Sequence, residues 1–482
     1  MKSPSIRNAL PKLWTAELAS RFLTALATIY VARVIGVEAY GLVGFASAVL
    51  AYLLVFVRFG TDHILVRELA RRDGLGDPEK SQLRAAAIIV RAILSLPAVG
   101  MLTVLALTAE TPVLGHLYFA SVVMLLGAIV PVELYLQSEE SFSSMAGIRI
   151  MTNLINLGLV FLLVRSASTS WAVPVASGAG VLASEAVFFH SIAGTLALPS
   201  FAAFRKMSVY LLKEGLPLFG SMILLLFVGQ FSIILVRAMC SPEELGWYAA
   251  GYKLYDVGNA LLVPAGTVLF PKLAAVWHDE DPTRRTSLIV NGMSITLPLA
   301  LILLGAALLC AQEVVPFLFG AAFTQTSFYV SVLSFALVIK SVSMFLAYGL
   351  VAGGRQRTHL AVTSVFVVIN IILSIVLIRS YGAIGAAVSI VVAFLCELVF
   401  FLAVLRHSFS LPRVRRLVVR VGISWSVVFV PLYVSAIFVH PFGERGLLPP
   451  LALTAVFLAV FLIVLGRYNN VSLSLLKNLL ET

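Results

Sequence analysis

Long apolar runs separated by short polar or charged segments recur along almost the whole chain. Each run has about 20 residues, the length that an α-helix needs to cross the roughly 30 Å hydrocarbon core of a bilayer. The runs lack the alternation of polar and apolar positions that a membrane β-strand requires, so the pattern predicts helices. The fourteen predicted spans are residues 13–35, 40–59, 84–108, 113–136, 146–164, 171–194, 215–236, 247–270, 287–310, 326–352, 360–378, 382–405, 418–439 and 447–466.

The composition supports lipid as the main solvent of this chain. Hydrophobic residues make up 60% of it and charged residues only 12%, against roughly a quarter charged in a soluble domain. The spans leave no room for a separate soluble domain. The first run contains Glu17, Arg21 and Arg33 and has no convincing cleavage site, so we interpret it as a retained span and not as a signal peptide.

Basic residues are divided unequally between the two predicted faces of the membrane. With the N-terminus inside, 23 Lys and Arg residues fall on the inner side and 5 on the outer side, alternating loop by loop as the positive-inside rule requires. We expect a multi-pass protein of the cytoplasmic (inner) membrane with both termini in the cytoplasm. The net charge of +11 is then explained by the membrane surface, and nucleic acid is not expected as a partner.

Three short segments of the first half recur in the same order in the second half. Their separations are 214, 212 and 204 residues. The matched positions are Asn156 with Asn370, Glu185 with Glu397, and Arg33 with Arg237. This order indicates two related bundles of six spans. Because six is even, both bundles keep the same orientation in the membrane, and a cleft between them is the expected place for a transport site.

The duplication predicts three regions of the chain. Residues 1–200 form an N-terminal six-helix lobe, residues 201–410 form a C-terminal six-helix lobe, and residues 411–482 add two transmembrane helices and a cytoplasmic tail. The expected fold class is therefore an all-α polytopic membrane protein. It has about fourteen transmembrane helices, in two six-helix lobes that form a parallel repeat plus two C-terminal helices.

Several motifs resemble those of the Wzx-type polysaccharide flippases. They are residues 31–41 (VARVIGVEAYG), 244–250 (ELGWYAA), 270–273 (FPKL) and 381–387 (YGAIGAA). The resemblance implies the multidrug/oligosaccharidyl-lipid/polysaccharide exporter superfamily, with alternating access driven by an ion gradient. The cargo it implies is an undecaprenyl-pyrophosphate-linked glycan, such as an O-antigen or exopolysaccharide precursor, moved from the inner to the outer leaflet. No cofactor is expected besides an H⁺ or Na⁺ gradient.

Ten charged residues fall inside the predicted spans, where each is expected to face a polar cavity or a partner because charge at bilayer depth is costly. The basic residues are Arg21, Arg91, Arg149, Lys253 and Lys340, and the acidic residues are Glu17, Glu133, Glu185, Asp256 and Glu397. Their signs balance, so counting alone does not predict a cationic lumen. Glu17 and Arg21 stand at i,i+4, and we interpret them as a structural pair while keeping Arg21 as a candidate for substrate binding. Lys253 and Asp256 stand at i,i+3 and have the same structural interpretation.

Arg91, Arg149 and Lys340 are the main candidates for substrate binding. Arg91 and Arg149 lie near the predicted inner ends of their spans. There they either clamp a pyrophosphate bidentately or reach toward lipid phosphates, and both interpretations stay open. Lys340 lies near the middle of span ten, and the repeat places it almost opposite Glu133. We expect Lys340 to have a central binding or gating role.

Glu185 and Glu397 hold matching places in spans six and twelve. They are expected either to anchor helix packing within each lobe or to couple transport to an ion gradient. The same two interpretations apply to Glu17, Glu133, Lys253 and Asp256. Pro131 and Pro264 lie inside spans and remove backbone hydrogen bonds, so kinks are expected there.

No enzyme motif is present in the sequence. HExxH, GxSxG and a phosphate-binding loop are all absent, and the predicted loops are too short for a catalytic head. Cys240, Cys310 and Cys396 form no CxxC pair and are expected to pack, so no metal site is predicted. The leading prediction is a flippase that contacts the bilayer, a lipid-linked oligosaccharide and other polysaccharide-assembly membrane proteins. The alternatives are a multidrug or cation antiporter or a peptidoglycan-precursor flippase of the same superfamily, and a structural membrane protein.

Overall fold

The computed structural model of the chain is helical, and the part of the chain that it describes contains no β-strand. With side chains from Ala19 onward, the described residues are 6–71, 78–138, 141–193, 196–277, 282–405, 411–439 and 448–469. Eleven helical segments among them are long and apolar enough to cross a membrane. The predicted all-α polytopic fold class is confirmed.

The described residues form fifteen α-helices. They are α1 (Ile6–Arg58), α2 (Thr61–Arg71), α3 (Pro78–Leu107), α4 (Pro112–Gly127), α5 (Val132–Ser138), α6 (Phe142–Leu163), α7 (Ala172–Ala193), α8 (Phe201–Met239), α9 (Pro242–Ala275), α10 (Pro282–Phe319), α11 (Thr326–Ala352), α12 (Gln356–Tyr381), α13 (Ala383–Leu405), α14 (Leu411–Val439) and α15 (Leu448–Asn469). Each predicted span overlaps one of these helices or, for span four, two of them.

The 53-residue α1 covers predicted spans one and two. The helical backbone of α1 is interrupted at Gly36, where φ is 77° and ψ is 177°. Glycine adopts this conformation without the steric cost of a Cβ. The apolar segment Ala19–Arg58 has 40 residues, about twice the length of one span. α1 therefore consists of two consecutive helices that change direction at Gly36.

Predicted span four is broken between α4 and α5, at residues 128–131. Pro131 has no N–H to donate, and its ring crowds the preceding turn. The N–H groups of Leu134 and Tyr135 donate to the carbonyl of Pro131 at 3.1 and 3.3 Å, which restarts the helix. The interruption leaves the carbonyl of Ala128 available to accept a hydrogen bond from a side chain.

α2 is a short amphipathic helix that the apolar runs did not predict. Its fully buried apolar residues are Ile64, Leu65 and Leu69. The chain enters α2 through Gly60, which has φ 68°. A Cβ at Gly60 would lie 2.6 Å from the carbonyl oxygen of Gly215 in α8, so both the backbone angle and the available space require glycine there. This turn positions Thr61 and Asp62 at the first turn of α2.

Contacts divide the chain into two compact units, unit 1 (Met1–Arg237) and unit 2 (Ala238–Thr482). In unit 1, α6 packs against α1 and α7, and α4 packs against α3 and α7. In unit 2, α11 packs against α9, α10 and α13, and α12 packs against α13. The lobes predicted from the repeat, with boundaries at residues 200 and 410, rest on sequence matching and stay a prediction.

The two C-terminal helices pack within unit 2. Trp425 of α14 donates from Nε1 to the carbonyl of Leu301 in α10 at 2.8 Å and stacks on Phe429 with the ring centroids 4.3 Å apart. Phe457 of α15 lies against Gly305 of α10, where a Cβ would come within 2.6 Å of the phenyl ring. α14 and α15 therefore extend the apolar core around α10.

Candidate functional site

Unit 1 contains a polar cavity of about 270 Å³. α1, α2, α3, α5, α6 and α7 each contribute one charged side chain to its wall. These side chains are, in the same order, Arg58, Asp62, Arg91, Glu133, Arg149 and Glu185. Three cations and three carboxylates give a formal charge of zero. Six charges around one space in a membrane protein indicate a site for water or for a polar ligand, because lipid does not solvate them.

Arg91 is the most deeply placed of the cavity arginines, with 2% of its side chain exposed. Its guanidinium forms an ion pair with Asp62 and donates to Oγ1 of Thr61 from Nη2 at 3.0 Å and from Nε at 3.3 Å. Nη1 donates to the carbonyl of Ala128 at 3.4 Å, at the break between α4 and α5. The guanidinium is therefore committed to protein partners, and it ties α2 and the helix break to α3.

Arg149 forms the second ion pair of the cavity. Its Nε lies 2.6 Å from Oε1 of Glu133, and the two side chains are 37% and 32% exposed. Asn153, one turn farther along α6, donates from Nδ2 to the carbonyl of Arg149 at 2.9 Å and accepts from Oγ1 of Thr24 at 2.8 Å. These bonds tie α6 to α1, while the guanidinium of Arg149 stays accessible from the cavity.

Arg58 and Glu185 are the two charged wall residues that form no ion pair within the described part of unit 1. Arg58 is exposed in the last turn of α1, where the helix dipole favours a cation. Glu185 is half-buried in α7, and its carboxylate interacts electrostatically with Arg91, Glu133 and Arg58. Arg91 is already held by Asp62. The cavity thus contains one cation and one carboxylate without a fixed partner.

Unit 2 contains a second group of charges, on α9, α11 and α13. The ammonium group of Lys340 lies 5.5 Å from the centre of the Phe394 ring, a cation–π distance, and interacts with the carboxylates of Glu397 and Asp256. Ser343 also interacts with Glu397. Lys340 is therefore surrounded by protein partners inside unit 2, and its binding or gating role stays a prediction.

The remaining predicted charges are Lys253, Arg21 and Glu17. Lys253 is exposed on α9, and its charge interacts with Asp256, three residues later. Arg21 is exposed on α1, whereas the side chain of Glu17 lies outside the described residues. The Glu17–Arg21 pair and a role of Arg21 in substrate binding stay predictions.

Sequence reasoning missed Arg58 and Asp62 as cavity residues. Arg58 is the last residue but one of predicted span two, so it belongs neither to the predicted loops nor to the ten charges assigned to the membrane interior. Asp62 lies just beyond that span. The amphipathic pattern of residues 61–71 was the available signal, because a short helix that buries one face folds back onto the ends of the spans beside it.

Comparison with known proteins gives the chain a family. Residues 12–277 match the family described as polysaccharide biosynthesis protein. This range is more than half of the chain and includes the whole wall of the unit 1 cavity. The chain belongs to the polysaccharide biosynthesis protein family. The family resemblance seen in the sequence is therefore confirmed.

Relatives of this polysaccharide biosynthesis protein include two named transporters. A Haloferax volcanii protein named as the low-salt glycan biosynthesis flippase Agl15 is 21% identical over 389 residues, which are 80% of each chain. A Shigella dysenteriae protein named as an O-antigen transporter is 19% identical over 364 residues, 75% of this chain and 90% of that protein.

Among solved structures, the lipid II flippase MurJ in an inward closed conformation has the same fold as this polysaccharide biosynthesis protein. The TM-score is 0.75 at 15% identity, and the match covers 95% of this chain and 98% of MurJ. At this identity the likeness establishes the fold alone. Together with the apolar helices, it shows a multi-pass membrane protein.

Proposed function

We propose that this polysaccharide biosynthesis protein is a flippase. It translocates a polyprenyl-pyrophosphate-linked oligosaccharide, the precursor of a surface polysaccharide, across the cytoplasmic membrane by alternating access. The observation that carries the proposal is the charged cavity built by six helices of unit 1. The polar head of a lipid-linked glycan must leave water to cross the bilayer, and such a cavity supplies replacement partners. Relatives named as a glycan biosynthesis flippase and an O-antigen transporter support this cargo.

The arginines of the cavity fit the pyrophosphate part of this cargo. Arg58 has no ion-pair partner among the described residues of unit 1, and Arg149 is partly exposed to the same space. A guanidinium presents a planar fork of N–H donors that matches phosphate oxygens. We therefore assign pyrophosphate binding to Arg58 and Arg149, while Arg91 supports the site by holding α2 and the α4–α5 break.

The size of the cavity limits what it holds. Its volume of about 270 Å³ is slightly below the roughly 300–1,000 Å³ of sites that enclose a drug-sized ligand. The cavity therefore accommodates the pyrophosphate and the first sugar at most. The rest of the glycan extends beyond the cavity, and the prenyl chain remains in lipid.

The proposed orientation follows from the distribution of basic residues. With both termini in the cytoplasm, Arg58, Arg91 and Arg149 lie toward the cytoplasmic ends of their helices. A lipid-linked glycan assembled on the cytoplasmic side then meets these arginines first. An H⁺ or Na⁺ gradient would drive the cycle without a cofactor, and other polysaccharide-assembly membrane proteins would receive the product.

Complementation tests the proposed function directly. The chain is expressed in a strain that lacks its own surface-polysaccharide flippase, and surface polysaccharide is measured. We expect restoration by the wild-type chain and loss of restoration with Arg58→Gln, while Arg205→Gln on the exposed surface of α8 serves as the matched control. Expression in parallel in a strain depleted of its lipid II flippase, and tests of drug resistance, separate the alternatives. Rescue only of the lipid II strain, or drug resistance alone, would contradict the proposed cargo.

A further inference from the structure

The helix α14 has two faces of different character. On one face, Val414, Val421 and Phe429 are buried in the core of unit 2. The opposite face borders a groove of about 990 Å³, and all the described residues that line this groove belong to α14. We call this surface the α14 groove. Its charged and branched apolar side chains, all of them exposed, belong to Arg415, Arg416, Val419, Arg420, Ile423 and Val427.

Charged and apolar side chains of the α14 groove are separated along the helix. The three arginines lie within the first ten residues of α14. Val419, Ile423 and Val427 follow one another at intervals of four residues, which places them in one row along the helix surface. These three residues are 50%, 59% and 64% exposed. The groove is therefore cationic at its N-terminal end and apolar beyond it.

The dimensions of the α14 groove match those of one lipid molecule. Residues 421–439 contain no charged residue and have about the length that crosses the hydrocarbon core, so Arg420 lies at its edge. From Arg415 to Arg420 the helix rises about 7.5 Å, close to the thickness of one head-group layer, about 5–7 Å. From Val419 to Val427 it rises about 12 Å, most of the roughly 15 Å of hydrocarbon in one leaflet.

The positive charge of the α14 groove is not balanced by protein. The sequence of α14 contains no Asp or Glu, and none of its three groove arginines forms an ion pair within the part of the chain that the structure describes. Arg416 and Arg420 stand at i,i+4, where like charges repel, and the N-terminal end of a helix is itself partly positive. A phosphate that contacts these guanidinium groups would relieve the repulsion.

We propose that the α14 groove binds one anionic phospholipid of the cytoplasmic leaflet, such as phosphatidylglycerol. The phosphodiester lies against the three arginines, whose planar forks of N–H donors match phosphate oxygens. One acyl chain lies along the row from Val419 to Val427. The cytoplasmic leaflet follows from the distribution of basic residues, which places the N-terminal end of α14 inside, where anionic lipids give the membrane surface a negative potential.

This inference goes beyond the proposed function, because the phospholipid is a bound constituent of the protein and not its cargo. The family match ends at residue 277, and α14 lies outside the predicted six-span repeat. On its other face, α14 is attached to α10 through the hydrogen bond from Trp425 to Leu301. A phospholipid that compensates the arginines removes a repulsion within α14, so it should stabilise the packing of this helix in unit 2.

Native mass spectrometry of the full chain tests the binding, with dioleoylphosphatidylglycerol or dioleoylphosphatidylcholine added to the detergent-solubilised protein. Near a membrane surface, one arginine contributes about fivefold to the affinity for anionic lipid. We therefore expect phosphatidylglycerol to bind more tightly than phosphatidylcholine. Its affinity should fall about fivefold with Arg416→Gln, and about 100-fold when all three groove arginines are replaced by Gln. The charge-matched control changes three exposed cations of α8 to Gln and should leave this affinity unchanged; they are Arg205, Lys206 and Lys213.

Two further measurements separate the head group from the chain and folding from binding. Ile423→Ser should weaken the binding of phosphatidylglycerol, because the acyl chain loses an apolar contact, and glycerophosphoglycerol, which has no acyl chains, should not displace the lipid. Thermal unfolding without lipid should show the triple arginine variant to be at least as stable as the wild type, because like charges are removed. Added phosphatidylglycerol should raise the unfolding temperature of the wild type more than that of the triple variant.

Three results would overturn the inference. They are equal affinities of the wild type for phosphatidylglycerol and phosphatidylcholine, an unaltered affinity for phosphatidylglycerol in the triple arginine variant, and an equal loss of affinity in the α8 control. Tighter binding of undecaprenyl phosphate than of phosphatidylglycerol, lost in the triple variant, would also overturn it, because the groove would then hold a prenyl lipid.

Discussion

Glu185 of unit 1 and Glu397 of unit 2 occupy equivalent positions of the repeat but have different surroundings. Glu397 interacts with the charge of Lys340 and with Ser343. Glu185 faces a cavity in which Arg91 and Arg149 already have carboxylate partners of their own. The same residue type at the same repeat position thus lies among α9, α11 and α13 near a lysine in one unit and lines a polar cavity in the other.

The role of an intramembrane carboxylate therefore depends on its neighbours. A carboxylate that interacts with a cation of its own helix bundle helps to hold the helices together. A carboxylate that faces a polar cavity without such partners responds to whatever enters that cavity. The contrast leads us to assign ligand-linked behaviour to unit 1 and a structural role to Glu397 in unit 2.

The largest effect is expected from Arg91, which supports the wall of the unit 1 cavity. Arg91→Ala removes the partner of Asp62 and leaves the hydroxyl of Thr61 and the carbonyl of Ala128 without their donor. Breaking a buried pair in this way costs about 3–5 kcal/mol. Thermal unfolding followed by fluorescence-detected size exclusion measures the loss, with the exposed Arg205→Ala as control. Equal stability of the two variants would show that the cavity wall does not depend on Arg91.

A smaller loss is expected for Arg58→Gln, and it concerns binding and not folding. A hydrogen bond to a charged group contributes about 1.5–3 kcal/mol, so we expect the affinity for the dimethyl pyrophosphate diester to fall about 10- to 100-fold. The unfolding temperature should stay unchanged, because Arg58 is exposed and forms no ion pair among the described residues of unit 1. Calorimetric titration measures the affinity, and an unaltered Kd would exclude Arg58 as an anion ligand.

The matched glutamates should also differ in what they contribute to stability. Glu397→Gln weakens the compensation of Lys340 and should cost about 1–3 kcal/mol. Glu185→Gln should be neutral or slightly stabilising, because it replaces a carboxylate that lacks an ion-pair partner. Thermal unfolding of both variants tests this, and in the double variant Glu397→Gln/Lys340→Met the two losses should not add. A larger loss for Glu185→Gln than for Glu397→Gln would reverse the comparison.

The smallest effect is expected from Ser343→Ala, which removes a hydroxyl that interacts with Glu397 as a hydrogen-bond donor and leaves Lys340 in place. A loss of about 0.5–1.5 kcal/mol is typical for one such bond. Ser364→Ala is the control, because its hydroxyl bonds only to the carbonyl of Leu360 on the same helix, at 2.8 Å. If the two serine variants unfold at the same temperature, Ser343 does not help to hold Glu397.

The amphipathic segment around α2 marks the limit of prediction from apolar runs. The segment 61–71 is too short and too polar to span a bilayer, so the apolar runs did not predict a helix there. Yet α2 brings Asp62 to Arg91 and closes one side of the cavity. The break at Pro131 shows the same limit. The proline predicts a kink, but the sequence does not show that the freed carbonyl of Ala128 accepts a hydrogen bond from Arg91.

The class of protein, the approximate positions of the spans and the family were predictable from the sequence. Crossing a hydrocarbon layer requires about 20 apolar residues whose backbone hydrogen bonds are satisfied within the segment, and this requirement can be read along the chain. The partners of the charged and polar side chains follow only from the packing of the helices. Arg91 and Asp62 are 29 residues apart, Arg149 and Glu133 are 16 apart, and Thr24 and Asn153 are 129 apart. Such partners meet only when separate helices pack, because an ion pair depends on distance in space and not on spacing along one helix.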